Sequence, residues 1–267
     1  MTLAGYVGTG GGWGRWATPR AGITLPCMSD AVARVAPEVL ELARQVTTAT
    51  LTSQLRKHGI LHCFMHEVTP LRPDLRLVGQ AFTLRNIPMR EDLEPAGETN
   101  NLVSKQRIAV ESVGPGDVLV IEARGDTRAA TLGNILAMRI MRRGAAGIVT
   151  DGSFRDTPAI RAMDMPTYTR GQSPLVSTQI HHPQDINVPI GCGGVAVVPG
   201  DLLVGDAEGV VVVPVALAEQ VVREAYEQDV REDFILEKVE GGSSILGVYP
   251  PNQDTLREYE AWRATRR

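Results

Sequence analysis

Residues 144–156 read Gly144-Ala145-Ala146-Gly147-Ile148-Val149-Thr150-Asp151-Gly152-Ser153-Phe154-Arg155-Asp156. Gly144 is a helix stop. Residues 147–150 form a short apolar run of strand length, closing at Asp151-Gly152. The segment before it reads as a helix over 132–143, and Arg139, Arg142 and Arg143 suit its C-terminal end. Before that helix, 118–123 reads as another apolar strand. Strand, helix, strand in this order predicts a parallel pair within an α/β fold.

Working outward, 77–84 reads as a strand and 100–112 as a helix. Further strands are expected at 195–198 and 210–213, followed by a long charged helix over 215–240 with one apolar stripe. Two segments echo each other. Pro115-Gly116-Asp117-Val118-Leu119-Val120-Ile121 resembles Pro199-Gly200-Asp201-Leu202-Leu203-Val204. In each, Pro-Gly supplies turn chemistry that launches an apolar strand. Near the N-terminus, helical periodicity over 31–46 is capped from Ser29 or Asp30, with Pro37 dividing it into two short helices. A further helix over 47–58 takes Thr50 or Thr52 as its cap and Gly59 as its stop.

The chain has 267 residues, of which 43% are hydrophobic and 22% charged, an ordinary globular balance. Its 27 basic and 31 acidic residues leave a net charge of −4, which argues against a nucleic-acid binder. No apolar run has the length of a membrane helix. Cys27, Cys63 and Cys192 are too scattered for a disulfide framework, which points to a reducing cytoplasm. The glycines of Gly8-Thr9-Gly10-Gly11-Gly12-Trp13-Gly14 follow no strand, so they read as part of a flexible extension over 1–28 rather than a phosphate loop. Met28 offers an alternative start. The main domain is expected over 29–245, undivided by any linker. A tail over 246–267, with Pro250, Pro251 and Trp262, should dock on a surface or on a neighbouring subunit.

His58, His62, Cys63 and His66 have partial zinc spacing, but Gly59 interrupts any helix that would align them. They read as ordinary packing and surface residues. His181-His182 reads as part of a polar loop. No Gly-x-Ser-x-Gly elbow is present. The sharper signal is Arg155-Asp156 at a strand's C-terminal edge, where open α/β sheets place ligands. Arg155 offers a planar fork for a carboxylate, and Asp156 offers hard oxygens for Mg²⁺ or Mn²⁺. One crossover upstream, Gly133, Asn134, Ile135 and Leu136 open a helix whose free N–H groups suit an anion.

Taken together, these motifs resemble the RraA-like family, which contains both 4-hydroxy-4-methyl-2-oxoglutarate aldolase and the regulator of ribonuclease activity A. The matching pieces are Gly79-x-Ala81-x-Thr83, the first Pro-Gly-Asp segment, and Gly133-x-x-x-Ala137. They continue through Gly144-x-x-Gly147-x-Val149-x-Asp151-Gly152-x-x-Arg155-Asp156, Pro199-Gly200-Asp201 and Asp206-x-x-Gly209. The resemblance implies an α/β, swivelling β/β/α domain with N- and C-terminal extensions, assembled as a homotrimer or a dimer of trimers. It implies a lyase dependent on Mg²⁺ or Mn²⁺ that acts on a small 2-oxo acid. Arg155 would bind the substrate carboxylate or keto oxygen, and Asp156 would hold the metal. The backbone of Gly133, Asn134, Ile135 and Leu136 would hold a carboxylate, and Glu232 would reach a neighbour's metal through water. Three departures stand out. Asn134 replaces an often acidic residue, Ser53-Gln54-Leu55 replaces Asp-Ala-Leu, and the N-terminal extension and the Tyr249-Pro250-Pro251 tail are additions to the short family core. They suggest a distinct branch, working as an aldolase or as a dehydratase of sugar-derived oxo acids. The alternative is a protein-binding regulator of a ribonuclease.

Overall fold

The computed structural model describes residues 33–92 and 102–266; the 1–28 extension and the Ser29–Asp30 cap lie outside them. The described residues belong to one compact unit. In chain order its elements begin with α1 (Pro37–Ala43), α2 (Thr48–Lys57), β1 (Thr69–Pro70), β2 (Leu77–Pro88), α3 (Lys105–Ser112) and β3 (Asp117–Glu122). Next come β4 (Ala130–Leu132), α4 (Asn134–Arg142), β5 (Gly147–Phe154), α5 (Thr157–Arg161) and β6 (Thr167–Gln172). The chain then forms β7 (His181–Ile186), β8 (Ile190–Cys192), β9 (Val195–Val197), β10 (Leu202–Gly205) and β11 (Val210–Val213). It ends in α6 (Ala218–Glu240) and α7 (Gln253–Ala264).

One mixed sheet runs in the order β1-β6-β5-β3-β2-β10-β11, with β4 added on β5 and β7 on β2. Its centre, β6-β5-β3-β2, is parallel, and β10 and β11 continue it antiparallel. The side-chain period of two explains the layering. Leu119 and Ile121 of β3 face a core with α3, α4 and α5, whereas Val118 and Val120 face the small β8–β9 hairpin. On β11, Val211 and Val213 lie under α1, α2 and α6, while Val210 and Val212 join the hairpin side. Helices, sheet and hairpin therefore form three layers, and strands covered on both faces read as unbroken apolar runs. This is the β/β/α arrangement.

The echoed turns stand on either side of β2. Gly116 and Gly200 both take positive φ, +79° and +92°, the region the third turn position requires. In both, the following aspartate accepts a backbone N–H three residues back: Asp117 from Gly114 at 2.9 Å and Asp201 from Val198 at 2.8 Å. Between them, Gln80 of β2 is buried. It accepts from Val35 N at 3.0 Å and donates to Ala33 O and Gly200 O, both at 2.8 Å, tying the entering chain to the sheet.

Several boundaries differ from expectation. The single helix α1 starts at Pro37 in place of two, because proline suits a first helical turn. Thr47, not Thr50 or Thr52, caps α2. The helix expected from residue 132 begins at Asn134, because Ala130–Leu132 is drawn into the sheet as β4. His181 lies in β7 and is buried, not in a polar loop. The tail, in contrast, agrees with the first of its two expectations and docks on a surface of its own chain: Tyr259 and Trp262 of α7 pack against Phe234 of α6.

Two carboxylates from elsewhere in the fold hold the start of α2. Asp229 of α6 accepts from Thr47 N at 2.8 Å and Thr50 Oγ1 at 2.5 Å. Asp206, after β10, accepts from Thr48 N and Thr48 Oγ1, both at 2.9 Å, and from Glu208 N at 3.0 Å. Asp206→Ala strands these donors. It is expected to destabilise the protein by about 1–3 kcal/mol, read as a lower urea midpoint at unchanged slope.

Candidate active site

The strand expected over 147–150 runs on to Phe154, so Asp151 lies inside it and Arg155-Asp156 lies just past its end. The longer strand has two successive neighbours on one side. Val118 to Ile121 of β3 pair with Gly147 to Thr150. Ala130 and Leu132 of β4 then pair with Ser153 and Phe154. Asp151 sits at the changeover. Its buried carboxylate accepts from Ala123 N at 2.6 Å and Gly125 N at 2.9 Å, N–H groups of the connection that leaves β3. Burial raises the Asp151 pKa against the lowering effect of these donors. Gly152 permits the close packing here, since a Cβ would stand 2.5 Å from the Ala123 Cβ and 3.0 Å from a Thr131 methyl.

The same connection carries further fastenings. Ser153 Oγ donates to Thr127 O at 2.8 Å and Ser173 Oγ to Arg128 O at 2.7 Å. Asp126 pairs with Arg128, whose hydrogen bonds hold the Asp126 pKa down at about 2. His181 Nε2 lies 3.2 Å from Ala129 O, and burial lowers the pKa of this imidazole, so the ring is neutral near pH 7 and donates that proton. Gln106 of α3 donates to Thr131 O, and Thr131 Oγ1 to Ser153 O at 3.1 Å. These bonds fix β4, and β4 delivers Gly133.

Gly133 then meets the far end of β5. Its own backbone is extended (φ −123°, ψ −174°), so conformational freedom does not require glycine; space does. A Cβ there would lie 2.7 Å from Asp156 Oδ2 and 2.9 Å from Arg155 Cγ. Arg155 N donates to Leu132 O at 3.1 Å, locking the two ends together. The two side chains also meet, Arg155 Nε to Asp156 Oδ2 at 3.3 Å, and both remain about two-fifths exposed. Asp156 has positive φ, +56°, an uncommon conformation that aspartate tolerates better than most residues.

The N-cap of α4, Gly133, has no side chain to cap it, and among the described residues no side chain takes its place, so the N–H groups at Asn134, Ile135 and Leu136 face an external acceptor. Asn134 is half-buried and Ile135 exposed. The structure thus brings together Gly133, Asn134, Ile135, Leu136, Arg155 and Asp156. It places Glu232 apart from them, on α6 among α1, α2 and α7, where Gln228 Nε2 donates to it at 2.8 Å. Gln106, Thr131 and Asp151 are the positioning residues that sequence reasoning missed. Only Asp151, within a motif already quoted, carried a signal.

Among the described residues no cluster of three or more His, Cys, Asp or Glu side chains is arranged to hold a metal ion. His58 instead pairs with Glu224 at 2.7 Å, and Cys63 and Cys192 are buried free thiols. Arg155-Asp156 supplies one carboxylate in an open setting. That donor set fits Mg²⁺, which is commonly held by one or two carboxylates together with water and substrate oxygens. No helix among the described residues is long and apolar enough to cross a membrane.

A sheet backed by helices, with an arginine–aspartate pair against a glycine-opened helix, forms a candidate small-ligand site on an α/β scaffold. The RraA-like family model, described as Aldolase/RraA, matches residues 48–212, and the chain belongs to that family. It is 37% identical over 158 residues, 59% of this chain and 69% of the relative, to a protein of Halalkalibacterium halodurans inferred to be a 4-hydroxy-4-methyl-2-oxoglutarate aldolase. An uncharacterised protein of Pseudomonas syringae pv. tomato superposes with a TM-score of 0.73 at 27% identity, covering 84% of this chain and 99% of that one. Streptomyces coelicolor RraAS2, described as an unusual member of the RNase ES inhibitor RraA family, superposes with a TM-score of 0.69 at 34% identity, covering 76% and 97%.

Gly133→Ala is expected to displace Asp156 and Arg155 while the backbone, already extended, stays in place. Turnover of the site's substrate should fall at least ~10-fold, about 1.4 kcal/mol, with a thermal midpoint close to wild type. A second expectation follows from Asp126. Its pKa is lower folded than the ordinary ~3.9 of an unfolded chain, so its stabilising contribution is present above pH 4 and lost as pH falls toward 2. Arg128 is 74% exposed, so solvent screening keeps the effect small. Asp126→Asn should flatten that part of a stability–pH profile and leave the profile near neutrality unchanged in slope.

Proposed function

We propose that this protein is a divalent-metal-dependent lyase that cleaves a 4-hydroxy-2-oxo acid to pyruvate. The observation that carries the reading is the contact of Gly133 with Arg155 and Asp156, which sets a cation, a hard carboxylate and a helix start side by side. Family membership, and a relative inferred to be an aldolase, support it.

Asp156 would hold Mg²⁺ or Mn²⁺. When bound, such an ion polarises a 2-keto oxygen as a Lewis acid. The remaining work falls to the chain. Free N–H groups at Asn134, Ile135 and Leu136 take the substrate carboxylate and fix its plane. The planar Arg155 fork binds the carboxylate or the keto oxygen, where negative charge grows as the C3–C4 bond breaks. Asn134 orders water but cannot act as a carboxylate base near neutral pH, so the 4-hydroxyl proton goes to another acceptor. Glu232, brought by α6 of a neighbouring subunit in a trimer or dimer of trimers, is the residue we assign to reach the site through water. Loss of CO₂ from oxaloacetate develops the same charge on the same oxygen, so decarboxylation is an expected side activity. With asparagine at position 134, we place the preferred substrate among sugar-derived 2-oxo acids, where cleavage or dehydration both use the acidified C3.

A second reading, a protein-binding regulator of a ribonuclease, draws on the likeness to RraAS2. Pyruvate release from oxaloacetate, with and without EDTA, separates the two. The lyase reading expects EDTA-sensitive turnover that Asp156→Ala abolishes without loss of fold. It also expects Arg155→Lys to lower kcat/KM at least ~10-fold, because lysine keeps the charge but not the fork. Absence of metal-dependent turnover in the wild type would favour the regulator, whereas Arg155→Lys within twofold of the wild type would reduce Arg155 to a surface charge.

A further inference from the structure

One side chain with no role so far stands beside the Arg155–Asp156 pair. Gln172 is the last residue of β6 and pairs in register with Phe154, the last residue of β5. Arg155 and Asp156 follow Phe154 directly, and Thr157, next after Asp156, opens α5. The buried Thr157 hydroxyl donates to Gln172 Oε1 at 2.7 Å. The Gln172 amide is thereby held to the residue that adjoins Asp156. Asn134 takes the opposite flank, because β4 pairs with the other edge of β5 and α4 follows β4.

The Gln172 amide is committed at one end. Its oxygen takes the Thr157 proton, while Nε2 donates to no group among the described residues, and the residue is exposed. A glutamine held by its oxygen presents two N–H donors. The cations around it are already engaged. Arg155 meets Asp156, Arg128 on the connection before β4 pairs with Asp126, and Arg161 of α5 donates to Leu71 O at 3.3 Å. A second carboxylate at the far end of a substrate would call for a further cation. The two flanks offer neutral amides instead, Asn134 and Gln172, and uncharged donors suit hydroxyl oxygens.

We propose that Gln172 is a specificity-determining residue of the Arg155–Asp156 site, its Nε2 donating to a hydroxyl of the substrate chain beyond C4. The assignment rests on the lyase reading above and narrows it to 2-oxo acids whose distal end is a neutral polyol in place of a second carboxylate. The experiment compares kcat/KM of the full-length protein, supplied with Mg²⁺, on 2-oxo-3-deoxygluconate and on 4-hydroxy-4-methyl-2-oxoglutarate. The wild type should favour the first. Gln172→Leu should lower the ratio of the two at least tenfold, mostly through KM for the sugar acid, and Gln172→Arg should shift the preference toward the dicarboxylate. Thr157→Val, which releases the glutamine oxygen, should lower the ratio in the same direction by less. A Gln172 that only closes the strand end would slow both substrates alike. An unchanged ratio in Gln172→Leu and Gln172→Arg therefore overturns the proposal, as does a wild type that prefers the dicarboxylate. Pyruvate release from oxaloacetate by the wild type tests the reading beneath it. If EDTA-sensitive release is absent, the lyase reading fails and this assignment with it; release together with an unchanged ratio overturns the assignment alone.

Discussion

The candidate site depends on how one strand accommodates two neighbours in succession. Where β3 leaves β5 and β4 has not yet joined it, backbone donors would be buried without partners, at a cost of about 1–3 kcal/mol each. The Asp151 carboxylate takes two of them. Burying an anion is itself costly, as its raised pKa records, but the N–H dipoles offset much of that cost. The result is a rigid joint between two strand pairings. The second pairing carries Gly133 to the end of β5, where Arg155 and Asp156 emerge.

The sheet around this joint is organised by β2. The same Pro-Gly-Asp turn is used twice, once to launch β3 parallel to β2 and once to launch β10 antiparallel to it. Both aspartates close their own turns, and buried Gln80 ties β2 to the second turn and to the incoming chain. Because every central strand is covered on both faces, alternate side chains serve different cores. A register slip would exchange the helix-facing and hairpin-facing sets, and the two sets differ in bulk.

The fold class and the central strands were legible because buried strands are written as uninterrupted Val, Leu and Ile. The Arg155-Asp156 pair was legible because it follows such a strand. What escaped was the remainder of β5. Asp151, Gly152 and Ser153 look like turn residues, yet here each serves the sheet through a buried bond or a close approach. The strand β4 was likewise absorbed into the helix that follows it, since three residues carry no period of their own. His181 reads as loop because its neighbours are polar; its burial depends on contact with Ala129, 52 residues earlier, which local reading cannot see.

The place of β10 in the sheet has a consequence for synthesis. Its partner β2 leaves the ribosome long before it, and the apolar faces of α1 and α2 are covered only once β10, β11 and α6 have followed. The helix side of β3 and β5, by contrast, closes through short crossovers as soon as they are made. Long-range pairing of this kind is slow, so the nascent chain passes through a stage with one half consolidated and the other still exposing its hydrophobic edge. That stage is where a holding chaperone would have most to grip, and where substitutions that weaken β2 would be felt in yield before they are felt in the finished protein.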